Sequence, residues 1–199
     1  GTAMPARRDL VGEYYDNPEE AKMLNSLTAS RTAQPNTLVV NDKNGDIQWQ
    51  TVPPTSDIQS VRTESSDVAT GATATFYDDT IPQNTEGDEY LTVSITPKSS
   101  SNYLVIRVLL FVAHSGTNNL IAAVFQDSTA DAICSASLYT TSTNSVYPLA
   151  LEHRMLAGTT SATTFKVRAG SVSGATTTLN GAAGGRKYGG TLYSFIEVT

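Results

Sequence analysis

The feature that most constrains this chain is a pair of apolar runs within residues 103–123, separated by a short His-Ser-Gly-Thr-Asn-Asn segment. Neither run alternates between apolar and polar residues. Successive side chains of a strand point to opposite faces. The first run therefore places Leu104, Ile106, Val108, Leu110 and Val112 on one face, and Val105, Leu109 and Phe111 on the other. Both faces of this strand favour a dry environment.

Strands that are apolar on both faces usually lie in parallel sheets covered by helices. After about residue 30 the sequence has no helical pattern, so we expect a second sheet to cover one face and other copies of the chain to cover the other. We therefore predict an oligomer interface on the face that carries Val105, Arg107, Leu109 and Phe111. Arg107 interrupts this apolar strand, and we expect it to pair with an acidic residue that fixes the register.

Composition limits the class of protein. The net charge is −6 and the isoelectric point is about 4.8, which argues against nucleic-acid binding through a basic surface and against docking on an anionic membrane. No apolar run approaches the ~18 residues of a membrane span, and no signal peptide is recognisable. We expect a soluble protein without membrane insertion. The single cysteine, Cys134, excludes an internal disulfide, and its apolar strand predicts buried packing.

The first 59 residues differ in pattern from the rest. Asn17-Pro18-Glu19-Glu20 is a helix start, and Ala21, Leu24 and Leu27 form an apolar stripe that predicts a short helix to about residue 29. Asn44-Gly45 lies between two β-favouring runs, 37–40 and 47–50, and predicts a hairpin that contains Trp49. Pro53-Pro54 indicates a stiff linker. We predict an N-terminal region over 1–59 and a head domain over 60–199.

The head domain is predicted to be all β. Apolar or alternating runs recur at 61–64, 73–77, 90–96, 132–138, 146–156, 164–172, 175–179 and 191–199, in addition to the two central runs. Gly and Pro turns separate them, and the runs at 146–156 and 164–172 are expected to pair across a Gly158 turn. A succession of short antiparallel strands with turns between them predicts a β-sandwich of jelly-roll type.

Several segments of the head resemble bacteriophage tail-fibre and other virion-appendage proteins. They are Phe76-Tyr-Asp-Asp-Thr-Ile-Pro-Gln-Asn-Thr-Glu-Gly-Asp-Glu-Tyr90, Ile95-Thr-Pro-Lys98, Asn102-Tyr-Leu-Val-Ile-Arg, Leu120-Ile-Ala-Ala-Val-Phe-Gln-Asp127 and Gly189-Gly-Thr-Leu-Tyr-Ser-Phe-Ile-Glu-Val. The resemblance covers roughly residues 67–199. The hairpin ending near Trp49 is also similar to short shaft units of fibre proteins.

The resemblance implies a homotrimer whose head has a tumour-necrosis-factor-like jelly-roll fold and touches a host-surface glycan or protein. It also implies that the N-terminal region contacts other virion proteins, which makes Leu24, Leu27 and Trp49 candidates for virion attachment. Such a protein is made in the host cytoplasm and displayed on the particle surface.

Two loops are the candidates for receptor binding, because recognition residues concentrate on loops of rigid scaffolds. One is rich in hydroxyl groups and is bounded by Tyr139 and Tyr147. The other is rich in glycine and carries Arg186, Lys187 and Tyr188. Tyrosine beside Ser, Thr and Asn supplies stacking surface and hydrogen-bonding groups at a low entropic cost.

Metal binding and catalysis have weaker signals. The acidic loop with Asp78, Asp79, Glu86 and Asp88 offers oxygen ligands but fits no EF-hand spacing, so we expect a solvated turn, no bound metal and no cofactor. No Gly-x-Ser-x-Gly motif accompanies the two histidines, and we assign no catalytic residues. We therefore predict a non-enzymatic phage fibre that binds a host surface. The alternatives are a capsid or tail decoration or adaptor protein with a purely structural role, and a small glycan hydrolase.

Overall fold

The computed structural model describes residues 58–199 in full and, before them, the backbone of four short strands. The chain divides into two compact units, Gly1–Asp57 and Ile58–Thr199. In the first unit, strand β1 (Arg7–Arg8) pairs with β2 (Tyr14–Tyr15), and β3 (Thr37–Asn41) pairs antiparallel with β4 (Ile47–Thr51). The two strands predicted on either side of Asn44-Gly45 are therefore confirmed, with Val39 opposite Trp49. The predicted helix, with Leu24 and Leu27, lies outside the described residues.

The second unit is mainly β, as predicted, and its described residues contain no α-helix. Its strands are β5 (Val61–Ser65), β6 (Ala69–Gly71), β7 (Asp88–Ile95), β8 (Tyr103–His114), β9 (Asn119–Gln126), β10 (Cys134–Tyr139), β11 (Tyr147–Leu156), β12 (Thr163–Ser171), β13 (Thr177–Leu179), β14 (Gly181–Ala182), β15 (Gly185–Arg186) and β16 (Ser194–Val198). One short 3₁₀ turn spans Tyr188–Gly190.

The eight main strands form two antiparallel sheets that pack as a sandwich. One sheet has the order β10-β9-β12-β7. The other has the order β5-β16-β8-β11, and β13 and β6 extend it beside the last residues of β8. Counted along the chain, the first main strand pairs with the last, the second with the seventh, the third with the sixth and the fourth with the fifth. These pairs are β5–β16, β7–β12, β8–β11 and β9–β10. This nested pairing is the topology of a jelly roll.

The core lies between the two sheets, and β8 crosses it centrally. Its inward residues are buried, as the sequence predicted: Leu104, Ile106, Val108, Leu110 and Val112. On its other face Val105, Leu109 and Phe111 are only half-buried in the single chain. The second face of β8 is therefore only partly covered by the residues that the structure describes.

Strand β9 is covered on both faces by its own chain. Leu120, Ala122 and Val124 join the core, and the alternate residues Ile121, Ala123 and Phe125 are also buried. The connection between β6 and β7, residues 72–87, lies against this outer face. Arg168, opposite Ala123 in the ladder, donates to the carbonyls of Glu86 and Gly87 at 2.9 and 2.6 Å. The expectation that another copy covers this second apolar run is therefore wrong.

Two details of the predicted strands are also wrong. Residues 73–77 are not a strand, because the Thr75 N–H bonds to the Ser171 carbonyl and Thr73 bonds to the Asp88 carboxylate, so no ladder forms. A Cβ at Gly170 would lie 2.5 Å from the Thr73 carbonyl oxygen, so this approach requires glycine. Strands β11 and β12 do not pair with each other, because the jelly roll places them in opposite sheets.

Candidate recognition site

Three loops follow the end of β8 or are hydrogen-bonded to its last residues; we call this region the loop end and define it as residues 115–118, 140–146 and 172–193. The Asn144 N–H donates to the His114 carbonyl at 2.8 Å, and the Asn180 N–H donates to the Phe111 carbonyl at 2.8 Å. Both predicted binding loops are thus anchored to the last four residues of β8. The jelly-roll topology, rather than sequence proximity, brings these two loops to the end of β8.

The tyrosines of the first loop are accessible from solvent. Tyr139 closes β10 with 61% of its surface exposed, and Tyr147 opens β11. The Tyr147 hydroxyl lies 3.5 Å from the Thr141 Oγ1, and this hydrogen bond lowers the pKa of Tyr147. The loop therefore presents aromatic faces with polar tips, beside the exposed hydroxyl groups of residues 141–143.

The second loop displays its predicted residues on a small rigid insertion. Strands β14 and β15 form a hairpin whose turn residues, Ala183 and Gly184, have φ angles of 52° and 69°. A Cβ added to Gly190 would lie only 2.5 Å from the Nη1 atom of Arg186, so the guanidinium packs closely against this glycine. Tyr188 follows with 73% of its surface exposed. Arg186, Lys187 and Tyr188 are all exposed to solvent here.

A buried histidine holds the first loop, and sequence reasoning missed it. The Nδ1 of His114 accepts a hydrogen bond from the Gly116 N–H at 3.2 Å, so Nε2 carries the proton and donates to the Thr140 Oγ1. Thr140 in turn donates to the Asn118 carbonyl at 3.0 Å. Burial lowers the pKa of His114. Only the end-of-strand position of a polar residue could have signalled this network.

The outer face of the β5-β16-β8-β11 sheet is a second candidate surface, and it carries the predicted interface residues. Leu109 lies between Phe195 and Ala150 in register, and Phe111 lies opposite Pro148. Together with Val105, these side chains form a half-exposed apolar patch.

A row of alternating charge crosses the same face. The register places Arg62, Glu197, Arg107 and Glu152 side by side on four adjacent strands. Arg107 Nε lies 2.9 Å from Glu152 Oε2, so Arg107 is paired with an acid, as predicted. Both side chains are at least half exposed, which limits such a pair to about 0–1 kcal/mol. The row contributes register more than stability.

The four acids of the weak metal candidate bond to different parts of the protein. Asp78 accepts from the Thr80 N–H and hydroxyl, the turn that was expected, and this lowers the pKa of Asp78. Glu86 is buried and accepts from the Phe76 and Gln83 N–H groups, and Asp88 bonds to Thr73. No hydrogen bond to Asp79 occurs in the described part of the chain. Within residues 58–199, no three His, Cys, Asp or Glu side chains are grouped to hold a metal.

Neither histidine has the partners of a hydrolytic triad. His114 bonds to a threonine and a backbone N–H, and His153, on β11, makes no hydrogen bond to a serine or a carboxylate among the described residues. Of the virion-attachment candidates, Trp49 is in β4, while Leu24 and Leu27 lie outside the described residues. No helix in the described part of the chain has the length and hydropathy needed to cross a membrane.

The described head is therefore an antiparallel jelly-roll β-sandwich that displays aromatic and cationic side chains on loops at one end. No protein-family model matches the sequence, and no curated protein matches it. Among solved structures, the chain is similar to one described as "EclA C-terminal domain; sugar-binding protein". The identity is 15%, the match covers 73% of this chain and 96% of that chain, and the TM-score is 0.35.

Proposed function

We propose that this chain is a structural virion-appendage protein whose head recognises a host-surface glycan or protein during phage adsorption. The head works as a homotrimer without catalysis. The N-terminal region, with Leu24, Leu27 and Trp49, attaches it to other virion proteins. The assembled protein stands on the particle surface.

The observation that carries this proposal is the gathering of two separate recognition loops at one end of a rigid sandwich. Tyr139 and Tyr147 lie at the two ends of one loop, and Tyr188 lies in the other. Both loops are hydrogen-bonded to the end of β8. Tyrosine supplies contact area with few rotatable bonds. Arg186 and Lys187 add donors that suit hydroxyl, carbonyl or carboxylate groups of a ligand. Loops held in this way lose little entropy on binding.

The homotrimer is supported by the outer face of the β5-β16-β8-β11 sheet. Its apolar patch around Leu109 and Phe111 is half-exposed in one chain, and its charged row has equal numbers of acidic and basic groups. Around a three-fold axis this face of three copies can meet, and the equal numbers of acidic and basic groups leave the meeting faces without net charge. Three copies also multiply the affinity of a weak loop end, because the later binding events become intramolecular.

The test is binding of the fluorescently labelled full chain to a panel of bacterial strains, followed by competition with phage on any strain that is bound. We expect binding and competition on at least one strain. Lys187→Ala and Tyr188→Ala should each weaken binding about tenfold, as expected when a central contact is truncated. Lys98→Ala is the matched control, since Lys98 is exposed and lies beyond the opposite end of β8. It should leave cell binding unchanged.

Absence of binding to every strain, together with tight binding to purified capsid or tail proteins, would contradict receptor recognition and support the decoration or adaptor role. Shortening of host polysaccharide on incubation with the protein would instead indicate a hydrolase.

A further inference from the structure

An open cleft lies away from the loop end, beside the start of β10. Its volume is about 370 Å³, within the ~300–1,000 Å³ typical of ligand pockets. One wall comes from the 72–87 connection and the other from the start of β10 and the residues before it. The lining residues are Asp78, Asp79, Thr80, Ile81, Pro82, Ala132, Cys134 and Ser135.

Hydrogen bonds hold the two walls at a fixed separation. The Ala132 N–H donates to the Pro82 carbonyl at 2.9 Å. The Gln83 amide donates to the Ile81 carbonyl at 2.7 Å and to the Asp131 carboxylate at 2.9 Å. The buried Glu86 carboxylate closes the connection by accepting the Phe76 and Gln83 N–H groups. The cleft is therefore formed before any ligand arrives.

The lining groups define what kind of ligand can bind. Asp79 provides a carboxylate acceptor, and the hydroxyl of Ser135 provides a donor, and neither is used by another described residue. Ile81, 54% exposed, adds an apolar surface to the same lining. A ligand that matches must both donate and accept hydrogen bonds and must also present an apolar patch. No lysine or arginine lines the cleft, which disfavours an anion.

Two exposed aromatic residues precede the cleft residues in the sequence. Phe76 and Tyr77 directly precede the lining residue Asp78, and 57% and 65% of their surfaces are exposed. Two adjacent exposed aromatics on a soluble domain are typical of a binding surface. A pyranose ring satisfies all of these conditions, because its hydroxyl groups donate and accept while its C–H face is apolar. A cationic group could donate to the carboxylates and to the Ser135 oxygen, but it presents no apolar ring face to Ile81.

We propose that this cleft binds a neutral pyranose of a host-surface glycan. Asp79 accepts from sugar hydroxyl groups, Ser135 donates to one, and Ile81 packs against the C–H face of the ring. A sugar in this cleft would be part of the host-surface ligand. This role for the cleft therefore depends on the proposed recognition role. It specifies the ligand as a neutral sugar, and it adds a contact that is separate from the loop end.

Cys134 provides a probe, because it is the only cysteine in the chain and it lines the cleft while its partly buried side chain packs against the core. Free glucose, galactose, mannose and N-acetylglucosamine are each titrated against the full chain while the reaction of Cys134 with iodoacetamide is followed. Burial raises the pKa of Cys134 to about 11, so the reaction is run at about pH 9 to give a measurable rate. We expect at least one sugar to slow alkylation twofold or more, with a saturable concentration dependence.

Variants then localise the effect. Asp79→Asn should raise the sugar concentration for half-protection about tenfold or more, the loss expected for a hydrogen bond to a charged group. Asp67→Asn, an exposed acid on the β5–β6 connection, is the matched control and should leave it unchanged. Circular dichroism of each variant confirms folding.

The outcomes separate this inference from the proposed function. Three results would each overturn the sugar cleft, even if the protein binds cells. They are protection by no sugar, protection only by a lysine-containing peptide, and equal protection of Asp79→Asn and the native chain. Protection by a sugar in a protein that binds no cells would keep the cleft and overturn the adsorption role.

Discussion

At the scale of single residues, His114 links the fold to pH. Its ring is buried at the end of β8, with Nδ1 accepting from the Gly116 N–H and Nε2 donating to Thr140. A second ring proton would face a donor and would be buried, and burial lowers the pKa of His114 below the ~6.5 of an unfolded chain. The neutral ring is therefore the one that fits the folded protein.

This lowered pKa makes stability depend on pH. The contribution of His114 is fully present above about pH 6.5 and is lost as the pH falls through the folded-state pKa, because the unfolded chain then binds the proton more readily. Urea unfolding between pH 8 and 5 should show a falling free energy of unfolding, and His114→Gln should flatten that slope. His153→Gln is the matched control, because it replaces the chain's other histidine, and it should keep the native slope. Equal slopes for all three proteins would contradict the prediction.

Residue chemistry was only partly foreseeable from the sequence. The exposed tyrosines of the loops were identified because Tyr beside Ser, Thr and Asn is informative on its own. The roles of His114 and Glu86 were not, because each depends on which backbone groups the fold brings to it: Thr140 and Gly116 for one, Phe76 and Gln83 for the other. The cleft was missed for the same reason, since its two walls are more than forty residues apart in the sequence.

At the scale of elements, Asn180 fixes the insertion that carries Arg186, Lys187 and Tyr188. It is fully buried with a φ angle of 52°. Its amide donates to the carbonyls of Ser65 and Asp67 at 2.8 and 3.1 Å and accepts from the Ser194 hydroxyl at 2.7 Å. One side chain thus joins the insertion to the β5–β6 connection and to the start of β16.

Replacement of Asn180 should separate the contribution of its hydrogen bonds to the free energy of unfolding from the effect of backbone strain. Asn180→Ala should lower the free energy of unfolding by about 2–4 kcal/mol, because buried carbonyl and hydroxyl groups lose their partners. Asn144→Ala is the matched control, since Asn144 also has a positive φ, 56°, but is exposed and its side chain makes no hydrogen bond to the described residues. It should cost only the left-handed strain of about 1 kcal/mol. Equal losses in urea unfolding would contradict the structural role of the Asn180 amide.

Among elements, strand identity was predictable and strand pairing was not. The run at 146–156 is close to strand β11, since local alternation and turn residues determine such segments. Its partner is β8 rather than β12, because the sandwich topology outweighs the preference for a local hairpin. Residues 73–77 have β-favouring composition, but hydrogen bonds to Ser171 and Asp88 divert them across the outer face of β9.

At the scale of the whole molecule, the two central apolar strands have different surroundings. β9 is buried on both faces because the 72–87 connection lies over it, whereas the second face of β8 leaves Val105, Leu109 and Phe111 half-exposed. The jelly-roll class followed from strand number and turns. The sequence pattern alone could not distinguish a strand covered by its own chain from one left for a partner, because both patterns are equally apolar.

The oligomeric state tests the face of β8 directly. Light scattering of the full chain should give a mass near three times 21.1 kDa, about 63 kDa. Leu109→Glu places a charge between Phe195 and Ala150 and should reduce the mass to that of one chain, because an unpaired charge is costly to bury at an interface. Ser137→Glu, an exposed residue of β10 in the other sheet, is the control and should leave the mass unchanged.

Removal of residues 1–57 should keep the larger mass if the contacts lie in the head. A native chain that stays at 21.1 kDa at every concentration would remove the physical basis for a trimeric head, since the half-exposed face of β8 would then need no partner.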